Sequence, residues 1–167
     1  MRDRLTEALK VHDVDYADIR IEDKTESQIM FRGPDLDTIG SSRTVGGIVR
    51  ALYKGGWGYA TFNDLTELES RVKEACATAK LVGKETSQLA PVEPVVDEIK
   101  ASMKKDFREV PLFQKKALLD EYNQIILHYH EKIQTSTALY GDSFKTVWFA
   151  SSEGAYIMEE KLNIFVY

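Results

Sequence analysis

Apolar and polar positions alternate along this chain in two periods, and the changes of period mark its elements. Leu5, Ala8, Leu9 and His12 recur at helical spacing, which predicts an amphipathic helix at the start. Residues 16–22 switch to period two, with Ala17, Ile19 and Ile21 on one face and Asp18, Arg20 and Glu22 on the other, the pattern of a half-buried strand. After a polar break at residues 23–26, residues 28–32 alternate again through Ile29 and Phe31. Gly33-Pro34 turns the chain, and residues 36–41 read as a weaker strand. Residues 45–53, β-branched and apolar, and residues 57–62, rich in aromatics, are joined by Lys54-Gly55-Gly56, which tolerates positive φ in a tight hairpin. Five consecutive strands with short links predict an antiparallel meander.

Residues 64–81 return to helical spacing. Thr66 and Glu69 stand at capping-box distance, and Leu68, Val72, Ala75, Cys76 and Ala79 form one stripe. A helix, a meander and a helix predict an α+β fold in which helices cover one sheet face. Residues 83–96 carry Gly, Thr, Ser, Gln and two prolines with little periodicity, so we read an amino-terminal domain over 1–82, a linker over 83–96 and a further region over 97–167. In that region residues 97–105 are expected to form a short polar helix. A third helix starts at Pro111 and runs to about His130, with Leu118, Tyr122, Ile125, Ile126 and Tyr129 at helical spacing. A second short meander then follows, with strands over 133–140, 143–150 and 156–167 and turns at Gly141-Asp142 and residues 151–154. The last strand stops at Tyr167 without a polar tail, which reads as a chain cut in mid-fold.

The 167 residues, 43% apolar and 29% charged, have the composition of an ordinary globular protein. A net charge of -5 and the lack of a Lys/Arg stripe give no footprint for direct nucleic-acid binding. One cysteine excludes an internal disulfide and a cysteine-based zinc site, in keeping with a reducing cytoplasm. No run approaches the roughly 20 apolar residues of a membrane span, and no leader is visible.

Chemistry is sparse. Gly56-Trp57-Gly58 begins like a dinucleotide fingerprint, but Thr61 holds the third glycine's position and a strand pattern follows. The histidines are His12, His128 and His130. His128 and His130, with Glu131 beside them, lack the four-residue spacing of a zincin helix, since position 134 is Gln; two apart, they diverge on a helix. They read as a solvated helix end. Cys76 sits on an apolar stripe and reads as structural. Ser41, Ser42, Ser151 and Ser152 are turn residues without a nucleophile elbow. Arg43 and Arg50 could hold a carboxylate, and Trp57, Tyr59, Trp148, Tyr156 and Phe165 could form an apolar groove, core packing or a subunit contact. No catalytic or metal residue is assigned; Arg43, Arg50, Trp57 and Tyr59 are the candidate peptide-binding set.

Several of these stretches resemble the amino-terminal domain of the TldD/PmbA family: Ser41-Ser42-Arg43, residues 46–50 (GGIVR), residues 55–60 (GGWGYA), Asn63-Asp64-Leu65, residues 16–22 and Ser152-Glu153-Gly154. The GGWGYA run is more similar to the TldD branch than to the PmbA branch. The family, often labelled as modulators of DNA gyrase, is understood as zinc metallopeptidases. The resemblance implies a cytoplasmic, non-catalytic amino-terminal module that helps to form a peptide-access cavity and a dimer contact, as a homodimer or with a related subunit, and acts on unfolded peptides. It implies zinc for the full-length protein, held by a His-Glu-x-x-x-His pattern that this chain lacks, since position 135 is Thr rather than His. Zinc would polarise the peptide carbonyl and activate water there. The alternative is an assembly module without peptide contact, and a third reading is a self-sufficient enzyme using His128 and His130.

Overall fold

A computed structural model describes residues 1–10, 13–86 and 88–167. Three helices, α1 (Arg2–Ala8), α2 (Leu68–Val82) and α3 (Leu112–His128), accompany β1 (Tyr16–Arg32), β2 (Asp35–Tyr53), β3 (Gly56–Phe62), β4 (Val96–Ile99), β5 (Thr137–Ser151) and β6 (Tyr156–Val166). The strands form one mixed sheet in the order β3-β2-β1-β5-β6-β4, so the fold is α+β as expected. The second meander extends the same sheet as the first. Its β5 lies beside β1, with the Gly33 amide donating to the Ser136 carbonyl at 2.8 Å and the Ser152 amide to the Ala17 carbonyl at 2.8 Å. Leu139 and Tyr167 exchange a pair of 2.8 Å backbone hydrogen bonds, the mark of an antiparallel β5–β6 ladder.

Several local expectations are corrected. The polar break at residues 23–26 lies inside β1, because neighbours on both sides satisfy the backbone of an interior strand whatever its side chains. Gly141-Asp142 continues β5 rather than turning, since Lys115 holds the Asp142 carboxylate in the interior. Residues 97–105 form no helix: the β-branched Val96 and Ile99 find a partner instead, and β4 pairs parallel to β6 with Val96 opposite Tyr156. Helix α2 starts at Leu68 and not at residue 64. Its Thr66–Glu69 capping box does not form; the Thr66 amide donates to Asp64 at 2.8 Å. Leu5, Ala8 and Leu9 are buried at α1 as expected, whereas His12 lies outside the described residues.

The chain divides into two compact units. The first comprises Met1–Asp23, Thr44–Lys100 and Thr146–Glu160. Its core is built from Ile19, Ile21, Val49 and Ala60 on the sheet and from Leu68, Val72, Ala75, Cys76 and Ala79 on α2, the stripe expected from the sequence. Burial of each large aliphatic side chain contributes roughly 1.5–3 kcal/mol. Gly58 on β3 faces α2 so closely that a Cβ there would penetrate the Ala75 carbonyl oxygen and the Ala79 amide nitrogen. The glycines of the central stretch thus serve helix-on-strand contact and the hairpin turn, where Lys54 has φ 44° and Gly55 φ 77°.

The second unit comprises Lys24–Arg43, Ala101–Lys145 and Lys161–Tyr167. Ile29, Phe31, Leu119, Ala138 and Tyr140 form its core. Around them α3 buries two polar side chains. Lys115 donates to Asp142 at 2.5 Å and to Ser27 at 3.2 Å; Ser27 and Tyr140 also donate to Asp142, at 2.7 and 2.5 Å. Asn123 donates to the Gly33 carbonyl at 2.8 Å and accepts from Ser136 at 2.6 Å. Burial, then the hydrogen bond to Asp142, raises the Tyr140 phenol above its ordinary pKa. The stripe that defines α3 in the sequence is therefore not the face it buries. Leu118, Tyr122, Ile125, Ile126 and Tyr129 are all exposed.

Candidate functional site

The alternation of β3 separates its two roles. Gly56, Gly58, Ala60 and Phe62 point into the first unit's core, while Trp57 and Tyr59 lie on the opposite face, Trp57 half-buried and Tyr59 exposed. In the hairpin register Arg50 stands opposite Tyr59, which places both side chains on that same face. The Trp57 and Tyr59 rings stack at 6.4 Å, and the Arg50 guanidinium lies 5.6 Å from the Trp57 ring. Tyr16 on β1 meets Trp57 edge-on at 6.2 Å.

Arg50 is held from below by Asp18, the carboxylate that the alternation of β1 assigned to solvent. Asp18 is only 1% exposed. Arg50 Nε donates to its two oxygens at 3.0 and 3.1 Å, and Nη2 donates to Oδ2 at 2.6 Å. Hydrogen bonding to Asp18 raises the Arg50 pKa further, so the guanidinium is a fixed cation. Burial, followed by the charge and hydrogen bond of Asp18, raises the Tyr16 phenol well above its ordinary value and keeps it neutral. The result is a closed polar unit of Tyr16, Asp18 and Arg50 beneath two aromatic rings. Replacing Arg50 with lysine, which cannot reproduce the fork, should lower stability by about 1–2 kcal/mol in urea unfolding; a change below a few tenths would show that the pairing is not stabilising.

Over this unit opens a cavity of about 380 Å³. Tyr16, Arg50, Trp57 and Phe149 form the sheet side, and the segment from Leu89 to Pro94 forms one wall. Of the expected set, Arg50, Trp57 and Tyr59 come together, whereas Arg43 belongs to the second unit. The five aromatics do not make one groove: Trp148 packs on the first unit's core, Tyr156 is buried in it, and Phe165 belongs to the second unit. Tyr16, Asp18, Phe149 and Glu153 are the site residues that periodicity missed. Tyr16 and Asp18, two apart on one strand face and near Arg50 in the meander order, were the available signal.

The arrangement can bind and orient a ligand. Among the described residues no group of three or more His, Cys, Asp or Glu side chains is placed to hold a metal ion. His128 Nδ1 lies 2.8 Å from the Gln124 carbonyl, and His130 Nδ1 accepts from the Lys132 amide at 3.1 Å, so both rings are engaged locally at the exposed end of α3. These residues do not fit a zinc site, and no reaction step is derived through zinc. Cys76 is buried, and burial raises its thiol pKa, away from a reactive thiolate. Among the described residues, no helix is long and apolar enough to cross a membrane.

Residues 17–79 match the model of PmbA/TldA metallopeptidase domain 1. This chain carries the first domain of the TldD/PmbA family. The matched span contains Asp18, Arg50, Trp57 and Tyr59, and Tyr16 immediately precedes it, so the ion pair and its aromatic cover lie within that domain. A metalloprotease of Synechocystis is 40% identical over 141 residues, covering 84% of this chain and 30% of its own length. A metalloprotease of Methanocaldococcus jannaschii is 30% identical over 159 residues, covering 92% of this chain and 35% of its own. The chain thus spans about a third of the length of the curated relatives it matches. Two solved structures share the fold of this chain. One, described as a candidate modulator of a DNA gyrase from Thermotoga maritima, has a TM-score of 0.77 at 18% identity over 99% of this chain and 37% of that one. The other, TldE from Thermococcus kodakarensis, has a TM-score of 0.72 at 14% identity over 98% and 36%.

Proposed function

We propose that this chain serves as the non-catalytic amino-terminal module of a TldD-like metallopeptidase subunit, where it helps to form the peptide-access cavity and a subunit contact in the cytoplasm. The observation that carries the peptide part is the aromatic cavity over a locked Arg50–Asp18 pair. An oriented guanidinium and stacked rings, with no metal-ligand group of three or more among the described residues, suit binding of a substrate whose cleavage is done elsewhere. The sheet offers a second element. β3 is the outermost strand of the sheet, whereas residues 45–53 lie between β1 and β3, so an extended peptide would add along β3.

Titration with an unfolded peptide, followed by backbone NMR, tests this reading. Shifts should concentrate on Arg50 and on β3 from Trp57 to Phe62. Shifts confined to loops would count against it.

A second reading, an assembly module without peptide contact, is favoured by one observation of its own, the exposed apolar stripe of α3. Tyr122, Ile125 and Ile126 also line an apolar hollow of about 310 Å³ with Val166 and Tyr167. Light scattering separates the two readings: a monomer that responds to peptide supports the first, and a peptide-blind dimer supports the second. A homodimer and a pair with a related subunit are both open to such a face.

A further inference from the structure

We propose that the cavity over Trp57 selects a peptide segment bearing a cationic side chain, lysine or arginine, with Glu93 and Glu153 as the residues that set this preference. The inference rests on the peptide-binding reading and adds the chemical class of the ligand. It starts from the charges that face the cavity. Arg50 is the single cation among its described lining residues, and the buried Asp18 neutralises it at 2.6 Å. Glu93 and Glu153 also line the cavity, and both are exposed residues without a cation beside them on its wall. The site is therefore net negative, although its most prominent polar group is an arginine. A carboxylate entering it would meet two like charges, and Arg50 already spends its fork on Asp18.

The walls add the second half of the argument. Tyr16, Trp57 and Phe149 present aromatic surface, to which the aliphatic stem of lysine or arginine is well suited while its charged head stays near the carboxylates at the solvent side. The volume of about 380 Å³ lies within the range of ~300–1,000 Å³ of ligand clefts. Glu153 is close enough for its charge to act on the Tyr16 phenol, which places it over the same floor.

Three capped peptides that differ only at the centre, Ala-Ala-Arg-Ala-Ala, Ala-Ala-Gln-Ala-Ala and Ala-Ala-Glu-Ala-Ala, are titrated into the 167-residue chain. The Trp57 indole N–H cross-peak is followed, with Trp148→Phe used to assign it. The arginine peptide should bind tightest and the glutamate peptide weakest, about tenfold apart at low salt, as two partly exposed charge pairs allow. In Glu93→Gln/Glu153→Gln the spread should fall to about twofold, with the glutamine peptide unchanged. Equal affinities for all three peptides would overturn the cation preference and leave peptide binding standing. Tighter binding of the glutamate peptide would make Arg50 the reader of charge and overturn it as well. No shift with any peptide would overturn the peptide-binding reading itself.

Discussion

Replacing Lys115 with alanine is expected to destabilise the second unit by about 3–5 kcal/mol, because it strips the cation from a carboxylate that cannot reach water. Asp142 is 6% exposed and accepts from Lys115, Ser27 and Tyr140. Removing the ammonium leaves an uncompensated buried charge, and the hydroxyls of Ser27 and Tyr140 cannot replace it. The double change Lys115→Met/Asp142→Asn should recover more than half of the loss, since the amide oxygen still accepts from one hydroxyl, the amide NH2 can donate to the other, and no charge remains. Urea unfolding of the three proteins measures this. A single variant within about 1 kcal/mol of the parent would show that the buried pair is not what holds α3 to the sheet.

Gly58→Ala should cost about 3 kcal/mol, at the upper end of what overpacking costs, because the added methyl meets backbone on α2 rather than a side chain that could turn aside. Relief would require α2 to lift off β3 near Ala75 and Ala79, exposing part of the first core. Gly40→Ala provides the contrast. Nothing lies within 4 Å of a Cβ placed there, and its φ is outside the range that favours glycine, so that change should stay within about 0.5 kcal/mol. Thermal unfolding by circular dichroism compares them, and equal melting points for the two variants would refute the close-approach account.

Periodicity located the hairpin, the α2 face and most strands of this fold because each depends on local alternation and on one or two turn residues. It placed α3 but not its inward face. A helix with Lys115 and Asn123 inside and Tyr122 and Ile125 outside inverts the usual rule, and the residues that make the inversion possible, Ser27, Gly33, Ser136 and Asp142, are distant in sequence. The short strand β4 was missed for a similar reason, since its pairing with β6 spans residues far apart in the chain. At the site, Arg50, Trp57 and Tyr59 follow from the hairpin register. Asp18 does not: alternation assigns a strand's polar face to water, and only the arginine on the neighbouring strand reveals that this carboxylate is enclosed.

The outward stripe of α3 also sets the colloidal behaviour of the chain. Apolar contact between molecules is opposed mainly by charge repulsion, and with a pI near 5.3 and a net charge of only -5 at neutral pH that opposition is modest and vanishes on mild acidification. Salt screens what repulsion exists but leaves Tyr122, Ile125 and Tyr129 as sticky as before. Solubility of this chain is thus tied to whether that one helix face is covered, and slightly alkaline buffers of low ionic strength are the conditions under which an uncovered face is best tolerated.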